Sequence, residues 1–181
     1  GLGLEVAGSS TLDDVEELAT TTRPDAVVLC GPLEAEAPIL ARLETSSHHT
    51  LLAGVSPGVA EFASVAGTEL EGGLAPVQWH PDAIPDTHLG PSIPELLSDA
   101  HAAAVGELDY VAVQAYAAAL IAEACTRDAS FDPLEAALAA RTRTVYGEFA
   151  IDPDTGRQCG HRLSVIRREH GERRLLLADA A

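Results

Sequence analysis

Apolar positions along the first 78 residues alternate between two patterns. Four short, continuous apolar runs stand between turn residues, at positions 4–7, 25–30, 50–54 and 74–78. Such runs are typical of parallel strands that are buried on both faces. Between them, apolar residues recur every three or four positions. This spacing predicts a first helix with Thr11 as its N-cap, a second that includes Ala37 and Leu40, and a third that begins at Ser56. This alternation predicts an α/β fold, a doubly wound parallel sheet of four strands.

The pattern changes after the fourth run. Four prolines interrupt the segment 79–94, which has no periodicity and is predicted to be a long irregular loop. Three helices are predicted next, at 93–105, 109–126 and 131–141. The last of them has Asp132 as its N-cap and Pro133 at its first position. The apolar pattern of the C-terminal segment predicts three strands, at 145–151, 161–168 and 173–177. Turns are predicted at 152–156 and 170–171.

The charge balance of the chain is strongly acidic. Eleven basic residues stand against 28 acidic ones, which gives a formal net charge of −17. Nucleic acids and anionic membranes are bound through basic surfaces, so this balance argues against both as partners. Aromatic residues make up only 4% of the chain, so each ring near a predicted site carries weight.

The three cysteines, Cys30, Cys125 and Cys159, form neither a disulfide framework nor a zinc motif. They are predicted to be small buried apolar residues, with one disulfide as the alternative in an exported protein. The histidines of the proline-rich loop, His80 and His88, are predicted to be solvated rather than metal ligands. No metal or other cofactor is expected.

Motifs of catalysis are missing from the sequence. It contains no nucleophile elbow, phosphate-binding loop, zinc-protease helix or redox Cys-x-x-Cys pair. The chain is therefore predicted not to be an enzyme and to have no catalytic residues. Its first residues lack a basic, apolar leader, and no run of about 20 apolar residues is present to cross a bilayer.

The turns that follow the predicted strands are the candidate binding site. In open α/β sheets, ligands lie beyond the carboxyl ends of the strands, and helix N-termini offer free N–H groups there. These ends are followed by the segments 31–34, 55–58 and 79–82. The predicted ligand-binding residues are Leu33, Glu34, Ser56, Trp79 and His80. Trp79 is the only tryptophan of the chain, and a core position is the alternative for it.

Five stretches of the sequence carry a resemblance to a known family. They are 23–29, 71–73, 78–81, 109–116 and 146–158, of which the last two are the most specific. In these stretches the chain resembles the second half of type I periplasmic binding proteins, the branched-chain amino acid receptors of ABC transporters, and actinobacterial members in particular. The similarity extends over nearly the whole chain.

The resemblance implies two α/β lobes with a ligand in the cleft between them. Residues 1–105 would form most of one ligand-binding lobe, and residues 106–181 would be helices and strands that belong to, or return from, the other lobe. The amino-terminal sheet of that other lobe is outside this sequence. The chain by itself would then hold about half of a site.

One departure from the family bears on the ligand. Amino-acid-binding members carry an acidic residue for the ligand ammonium in the loop after the third predicted strand, near Val55 of this chain. Valine cannot pair with an ammonium ion, and Glu34 is the nearest acidic candidate in the sequence. The departure implies a ligand other than an α-amino acid.

The function expected from these observations is that of a solute-binding component. Such a protein captures a small polar ligand, a branched-chain amino acid or a related compound, and delivers it to the membrane permease of an ABC transporter. Its location would be extracellular, at the cell surface or in the periplasm. The alternatives are a ligand-sensing regulatory domain of the same fold, and a module that forms homo-oligomers through the face left open by the missing lobe.

Overall fold

The computed structural model of the chain describes residues 5–46, 50–106, 108–127 and 132–177. Two compact units divide the chain. Unit 1 lies within Gly1–Val77 and Val165–Leu176, and unit 2 lies within Gln78–Ser164 and from Leu177 onwards. The functional division expected at residue 105 stays a prediction; helix 93–102 belongs to unit 2.

Helices and strands alternate along the chain as far as the third strand. They are α1 (Val15–Thr22), β1 (Ala26–Leu29), α2 (Leu33–Ser46), β2 (Leu51–Gly54), α3 (Phe62–Ala66), β3 (Leu74–Val77), α4 (Ile93–Ala102), α5 (Tyr110–Thr126), α6 (Pro133–Ala139), β4 (Arg141–Thr144), β5 (Gly147–Ala150), β6 (Ser164–Glu169) and β7 (Glu172–Leu177). Short 3-10 turns occur at Ser56–Gly58 and Pro81–Ala83.

A five-stranded sheet, in the order β1-β2-β3-β6-β7, forms the centre of unit 1. The strands β1 and β2 are parallel with Val27 opposite Leu52, and β2 is parallel to β3 with Ala53 opposite Leu74. The predicted α/β class with a parallel sheet is confirmed. The sheet differs from the prediction in its first strand and in its burial. The strands β1, β2 and β3 bury alternate residues rather than both faces, and Val28 of β1 is 75% exposed. No strand includes residues 5–7 of the run 4–7, and Leu4 lies outside the described residues.

The core of unit 1 lies between α2 and the sheet. Ala37, Leu40 and Leu43 are buried on one side of α2, because their spacing places them on one face of the helix. They share a cluster with Leu29 of β1 and Leu52 of β2. Apolar residues from the parallel strands and from α2 thus form the core, as the alternation of strand and helix patterns in the sequence predicts.

Two helices of unit 1 begin later than predicted. The helix with Thr11 as its predicted N-cap begins at Val15, with Asp14 at the N-cap position. The helix predicted to begin at Ser56 is first a 3-10 turn, and α3 begins only at Phe62. The backbone of Val59 is extended and interrupts the helix between them.

A buried arginine joins β6 to the rest of unit 1. Arg168 is only 3% exposed. Its guanidinium donates hydrogen bonds to the carbonyl oxygens of Glu69 (2.8 Å) and Pro57 (2.9 Å), and to the Glu69 carboxylate (3.1 Å). The guanidinium carbon also lies 5.0 Å from the centre of the Phe62 ring. Because all these groups are satisfied at once, a charge can lie inside the unit.

Unit 2 contains three helices with side-chain caps. Ser92 and Glu95 form a reciprocal capping box at the start of α4. Asp109 caps α5, and Asp132 caps α6 with Pro133 at its first position, as predicted. The predicted extension of that helix to 141 is wrong, because Arg141–Thr144 forms β4 and pairs antiparallel with β5. Threonine at alternate positions favours a strand there.

The burial of the cysteines differs from the prediction. Cys30, Cys125 and Cys159 are all free, and Cys30 and Cys159 are exposed rather than buried. Within the described ranges, no helix is long and apolar enough to cross a lipid bilayer.

Candidate functional site

The turns after β1 and β2 meet at one carboxylate. Glu36, in the first turn of α2, is completely buried. Its Oε2 accepts a hydrogen bond from the Gly31 backbone N–H (2.8 Å). Its Oε1 accepts from both the backbone N–H (2.8 Å) and the hydroxyl (2.7 Å) of Ser56. We call this group, Gly31, Glu36 and Ser56, the carboxylate latch.

The latch requires a glycine beside it. A Cβ added at Gly54, the last residue of β2, would overlap Glu36 Oε1 and would lie 3.2 Å from Leu40 Cδ1. Any larger residue would therefore push the carboxylate away from Ser56. The absence of a side chain at the end of β2 makes room for the acidic group at this edge of the sheet.

Three of the predicted binding residues lie at this edge, in unit 1. Leu33 is half-buried and packs against the core of the unit. Glu34, the next residue of α2, is exposed. Ser56 is 3% exposed, with its hydroxyl on the latch. Val55 beside it is 45% exposed, and Pro32 in the turn after β1 is exposed as well.

Trp79 is a buried residue of unit 2. Its indole N–H donates a hydrogen bond of 2.8 Å to the carbonyl oxygen of Val145. The ring belongs to a core cluster with Ile93, Val113 and Tyr146. Trp79 therefore occupies a core position, which was the alternative interpretation of this residue. Its contact with a ligand stays a prediction.

His80 is also buried, with 8% of its surface exposed. Its Nδ1 accepts a hydrogen bond from the backbone N–H of Asp82 (3.2 Å) and so caps the 3-10 turn Pro81–Ala83. The expectation that this histidine is solvated is thus wrong, since the cap draws the ring inward. Its predicted role in ligand binding remains a prediction.

Sequence reasoning missed Glu36. The signal was present, because Glu36 shares one helix face with the apolar Leu40 and Leu43, four and seven positions further on. An acidic residue in line with a buried stripe is unusual enough to indicate a specific partner. Here the partners are the donors of the carboxylate latch.

A second missed group lies in unit 2. The rings of Tyr146 and His161 are stacked, with centres 4.2 Å apart and planes at 3°. The Tyr146 hydroxyl donates to Gln78 Oε1 (2.9 Å). Burial lowers the pKa of His161, and an interaction with the backbone of Gln78 offsets part of that effect. Burial raises the pKa of Tyr146.

An apolar groove of about 500 Å³ lies in unit 2 between α5, α6 and the β4–β5 hairpin. Its lining includes Ala117, Ile121, Leu134, Ala137 and Phe149. The helix α5 is apolar on all sides, yet only Val113 and Ala117 of it are buried. A helix of this composition is normally covered by other protein.

Metal-binding side chains do not converge in the part of the chain that the structure describes. No cluster there contains three or more His, Cys, Asp or Glu side chains in positions to hold an ion. The His88 ring lies 3.7 Å from the Asp86 carboxylate on the surface.

The chain is similar to known proteins in structure rather than in sequence. No family model matches the sequence, and no curated protein sequence matches it. Among solved structures, a leucine-binding protein LivK of Thermotoga maritima matches 94% of this chain, with a TM-score of 0.73 and 15% identity. A putative branched-chain amino acid ABC transporter protein of Rhodospirillum rubrum matches 93% of it, with a TM-score of 0.70 and 21% identity.

A third similar structure was solved with a different class of ligand, an aromatic acid. It is the solute-binding protein of an ABC transporter from R. palustris in complex with benzoate, and it matches 91% of this chain with a TM-score of 0.60 and 17% identity. The chain spans about half of the length of these proteins, 49%, 49% and 45% respectively. The resemblance seen in the sequence is thus confirmed by structure: the chain has the fold of about half of a type I periplasmic binding protein.

Proposed function

We propose that this chain binds a small solute for an ABC-type transporter, outside the cytoplasmic membrane, and is not an enzyme. The observation that carries the proposal is the carboxylate latch, which joins the turns after two neighbouring parallel strands. Turns at this edge are where open α/β sheets bind their ligands. The solved structures of the same fold are solute-binding proteins by their printed names, which supports this function for the chain.

The proposed contacts form two groups, each within its own unit. In unit 1 they are Leu33, Glu34 and Ser56 at the edge of the sheet. In unit 2 they are Trp79 and His80. A membrane permease is the proposed recipient of the ligand. Candidates for the ligand are a branched-chain amino acid and an aromatic acid, because the similar structures are named for both classes.

A thermal-shift screen tests the proposal. The purified chain is heated with amino acids, amides and short or aromatic carboxylates, each at millimolar concentration. A ligand at about 100 times its dissociation constant adds about 2.7 kcal/mol of stability, which is readily measured. Glu34→Gln is expected to weaken binding without changing stability, since Glu34 is exposed. An unchanged melting temperature with every compound would contradict solute binding by this chain.

A second function, self-association, is favoured by the exposed apolar surface of unit 2. Val111 and Leu134 are 53% and 68% exposed, at α5 and α6. We propose a second copy of the chain as the partner of the groove. The net charge of −17 opposes such a contact, so association should strengthen as salt is added.

Sedimentation velocity at several protein concentrations and two salt concentrations measures this association. Leu134→Asp should abolish a dimer that forms through the groove. Leu163→Asp serves as the control, because Leu163 is similarly exposed (56%) and does not line the groove. A monomer at all concentrations, or an equal effect of both variants, would rule out this mode of association.

A further inference from the structure

We propose that the uncharged ring of His161 holds one wall of the unit 2 groove in place, and that a proton on this ring releases the wall and weakens the contact with a second copy. This regulation rests on the self-association that is proposed for the groove. His161 is not one of the residues that line the groove; its ring lies against one of them, Tyr146.

The wall in question runs from the turn between β4 and β5 to residue 158. It is formed by Tyr146, Gly147, Glu148 and Gln158. The ring of His161 stacks on that of Tyr146, with centres 4.2 Å apart. The His161 backbone N–H donates to Gln158 Oε1 (2.9 Å), and Gln158 Nε2 donates in turn to the Glu148 carbonyl oxygen (2.9 Å). One stack and two hydrogen bonds thus join His161 to the wall.

A glycine of the wall allows the imidazole to approach closely. Gly147 has a φ of 122°, a conformation that favours glycine. A Cβ at this position would lie 3.4 Å from His161 Nδ1 and 3.5 Å from Ile84 Cδ1. The imidazole therefore packs between the Tyr146 ring and backbone that carries no side chain, in largely apolar surroundings.

The nitrogens of the His161 ring favour its uncharged form. Both are buried, and neither makes a well-formed hydrogen bond within the residues that the structure describes. An imidazolium has two N–H donors, and each would require an acceptor in this place. Burial lowers the pKa of His161, the backbone of Gln78 offsets part of that effect, and no charged side chain contributes. The titratable group that faces the ring is the Tyr146 phenol, which is uncharged at neutral pH because burial raises its pKa.

A fall in pH therefore favours the released ring over the packed ring. A released His161 has the ordinary histidine pKa of about 6.5, whereas the packed ring has a lower pKa. As the pH falls below about 6.5, the released ring takes up a proton first and its population rises. The rise ends where the packed ring is protonated as well, and it amounts to about tenfold for each unit between the two pKa values.

Release of His161 reaches the groove through Tyr146. The Tyr146 ring would lose its stacked neighbour, while its hydroxyl stays bonded to Gln78 Oε1 (2.9 Å). A ring that is held at its tip and no longer supported on its face can tilt. Because this ring lines the groove, the tilt changes the surface that a second copy would contact.

The direction of the pH effect separates this switch from a general effect of charge. The formal net charge of −17 makes two copies repel each other at neutral pH. Protonation of the histidines makes that charge less negative, so acid by itself should strengthen association. The switch at His161 predicts the opposite, a weaker dimer in mild acid.

Sedimentation velocity of the full chain at pH 7.5 and 5.5, at constant ionic strength, measures the dissociation constant of the dimer. For the wild type we expect it to be at least about threefold larger at pH 5.5. His161→Phe keeps an uncharged ring beside Tyr146, so its dimer should be equally strong or stronger in acid. A wild-type dimer that strengthens in acid, or one that weakens equally in His161→Phe, would overturn the regulation.

His88→Gln is the matched control for a lost histidine. The His88 side chain is 57% exposed and lies near the Asp86 carboxylate on the surface of the same unit. The variant loses one protonation site but keeps the stack of His161 on Tyr146. Its dimer should weaken in acid as the wild-type dimer does, and a response like that of His161→Phe would assign the effect to net charge and overturn the proposal.

NMR of the dilute, monomeric chain tests the release without self-association. At pH 7.5 the stacked Tyr146 ring should shift the His161 Cε1–H resonance upfield. As the pH falls, this resonance should move to the position of a free imidazolium with a midpoint below about 6.5. The fluorescence of Trp79, which shares a core cluster with Tyr146, should change with the same midpoint. A protonated His161 that keeps the upfield shift would overturn the release.

The two measurements separate a failure of the switch from a failure of the proposed self-association. A wild type that is monomeric at every concentration would overturn self-association and its regulation together, while the NMR titration still decides whether His161 releases Tyr146. If His161→Phe does not fold, the titration of the wild type replaces it, because it needs no variant. Far-UV circular dichroism checks that the chain stays folded at pH 5.5.

Discussion

The indole N–H of Trp79 donates a hydrogen bond of 2.8 Å to the carbonyl oxygen of Val145, 66 positions further along the chain. Both residues are buried, Val145 completely. The bond joins the segment that follows β3 to the turn between β4 and β5 inside unit 2. It satisfies the polar atom of the only tryptophan and a carbonyl that has no access to water.

Replacement of Trp79 by phenylalanine should destabilise the chain. The Val145 carbonyl would lose its donor in a buried place, at a cost of about 1–3 kcal/mol, and the smaller ring would add a cavity. Urea denaturation followed by circular dichroism measures the loss. Tyr116→Phe, on the exposed side of α5, should change stability by less than about 0.5 kcal/mol. Equal stability of Trp79→Phe and the wild type would contradict a role for this bond.

Replacement of Gly54 by alanine should displace the latch. The new Cβ would overlap Glu36 Oε1 and approach Leu40, so either the carboxylate or the strand must shift. Overpacking of this kind costs about 1–3 kcal/mol. Gly106→Ala is the control, because a Cβ there would meet no atom within 4 Å. Differential scanning calorimetry should place the melting temperature of Gly54→Ala clearly below that of the control, and a reversed order would refute the overlap.

Replacement of Arg168 by methionine should be among the most damaging single changes in unit 1. The carbonyls of Pro57 and Glu69 would lose their common donor, with an expected cost of about 3 kcal/mol or more. The exposed Arg174, which pairs with Glu169, provides the control, and Arg174→Met should have little effect because exposed ion pairs contribute little. Guanidinium denaturation compares the two, and similar midpoints would contradict the prediction.

His161 should make the stability of unit 2 depend on pH. Burial holds its pKa below the ordinary value, so the unfolded chain takes up a proton at a higher pH than the folded chain. Stability should therefore fall as the pH drops below about 6.5, until the folded state is protonated as well. His161→Phe should remove this part of the slope and keep the ring stacked on Tyr146.

The measurement for His161 is urea denaturation at pH 8 and pH 5.5. The wild type should lose more stability between the two than His161→Phe does. His101→Gln, at the exposed end of α4, should retain the wild-type slope. A slope that is the same in His161→Phe as in the wild type would assign the pH dependence to other groups.

The parallel strands β1, β2 and β3 could be predicted because their signal is local. Each is a short apolar run between turn residues, without polar alternation in the sequence. The structure nevertheless buries only alternate residues of each strand, and Val28 of β1 is 75% exposed. The capped helices α5 and α6 were equally readable, since Asp109 and Asp132 mark their starts. In these elements the local preference and the tertiary contacts agree.

Where local preference and tertiary contacts differ, sequence reasoning was less successful. The run at 4–7 resembles a strand, yet residues 5–7 are exposed and form none. Glu36 sits in a first helical turn, where acidic residues usually face water and the helix dipole explains them. Its burial depends on donors from two other segments and on the space at Gly54. None of these is visible from the residue's own neighbourhood in the sequence.

The interrupted path of the chain through unit 1 affects how the protein is made. Ile166 of β6 completes a buried cluster with Ala75 and Val77 of β3, but unit 2 is encoded between them. A ribosome therefore synthesises Gln78–Ser164 of unit 2 before β6 can pair with β3. During that interval the nascent edge of β3 is unpaired and open to chaperones or to neighbouring nascent chains. Slower translation across the codons of unit 2 would lengthen this period of exposure.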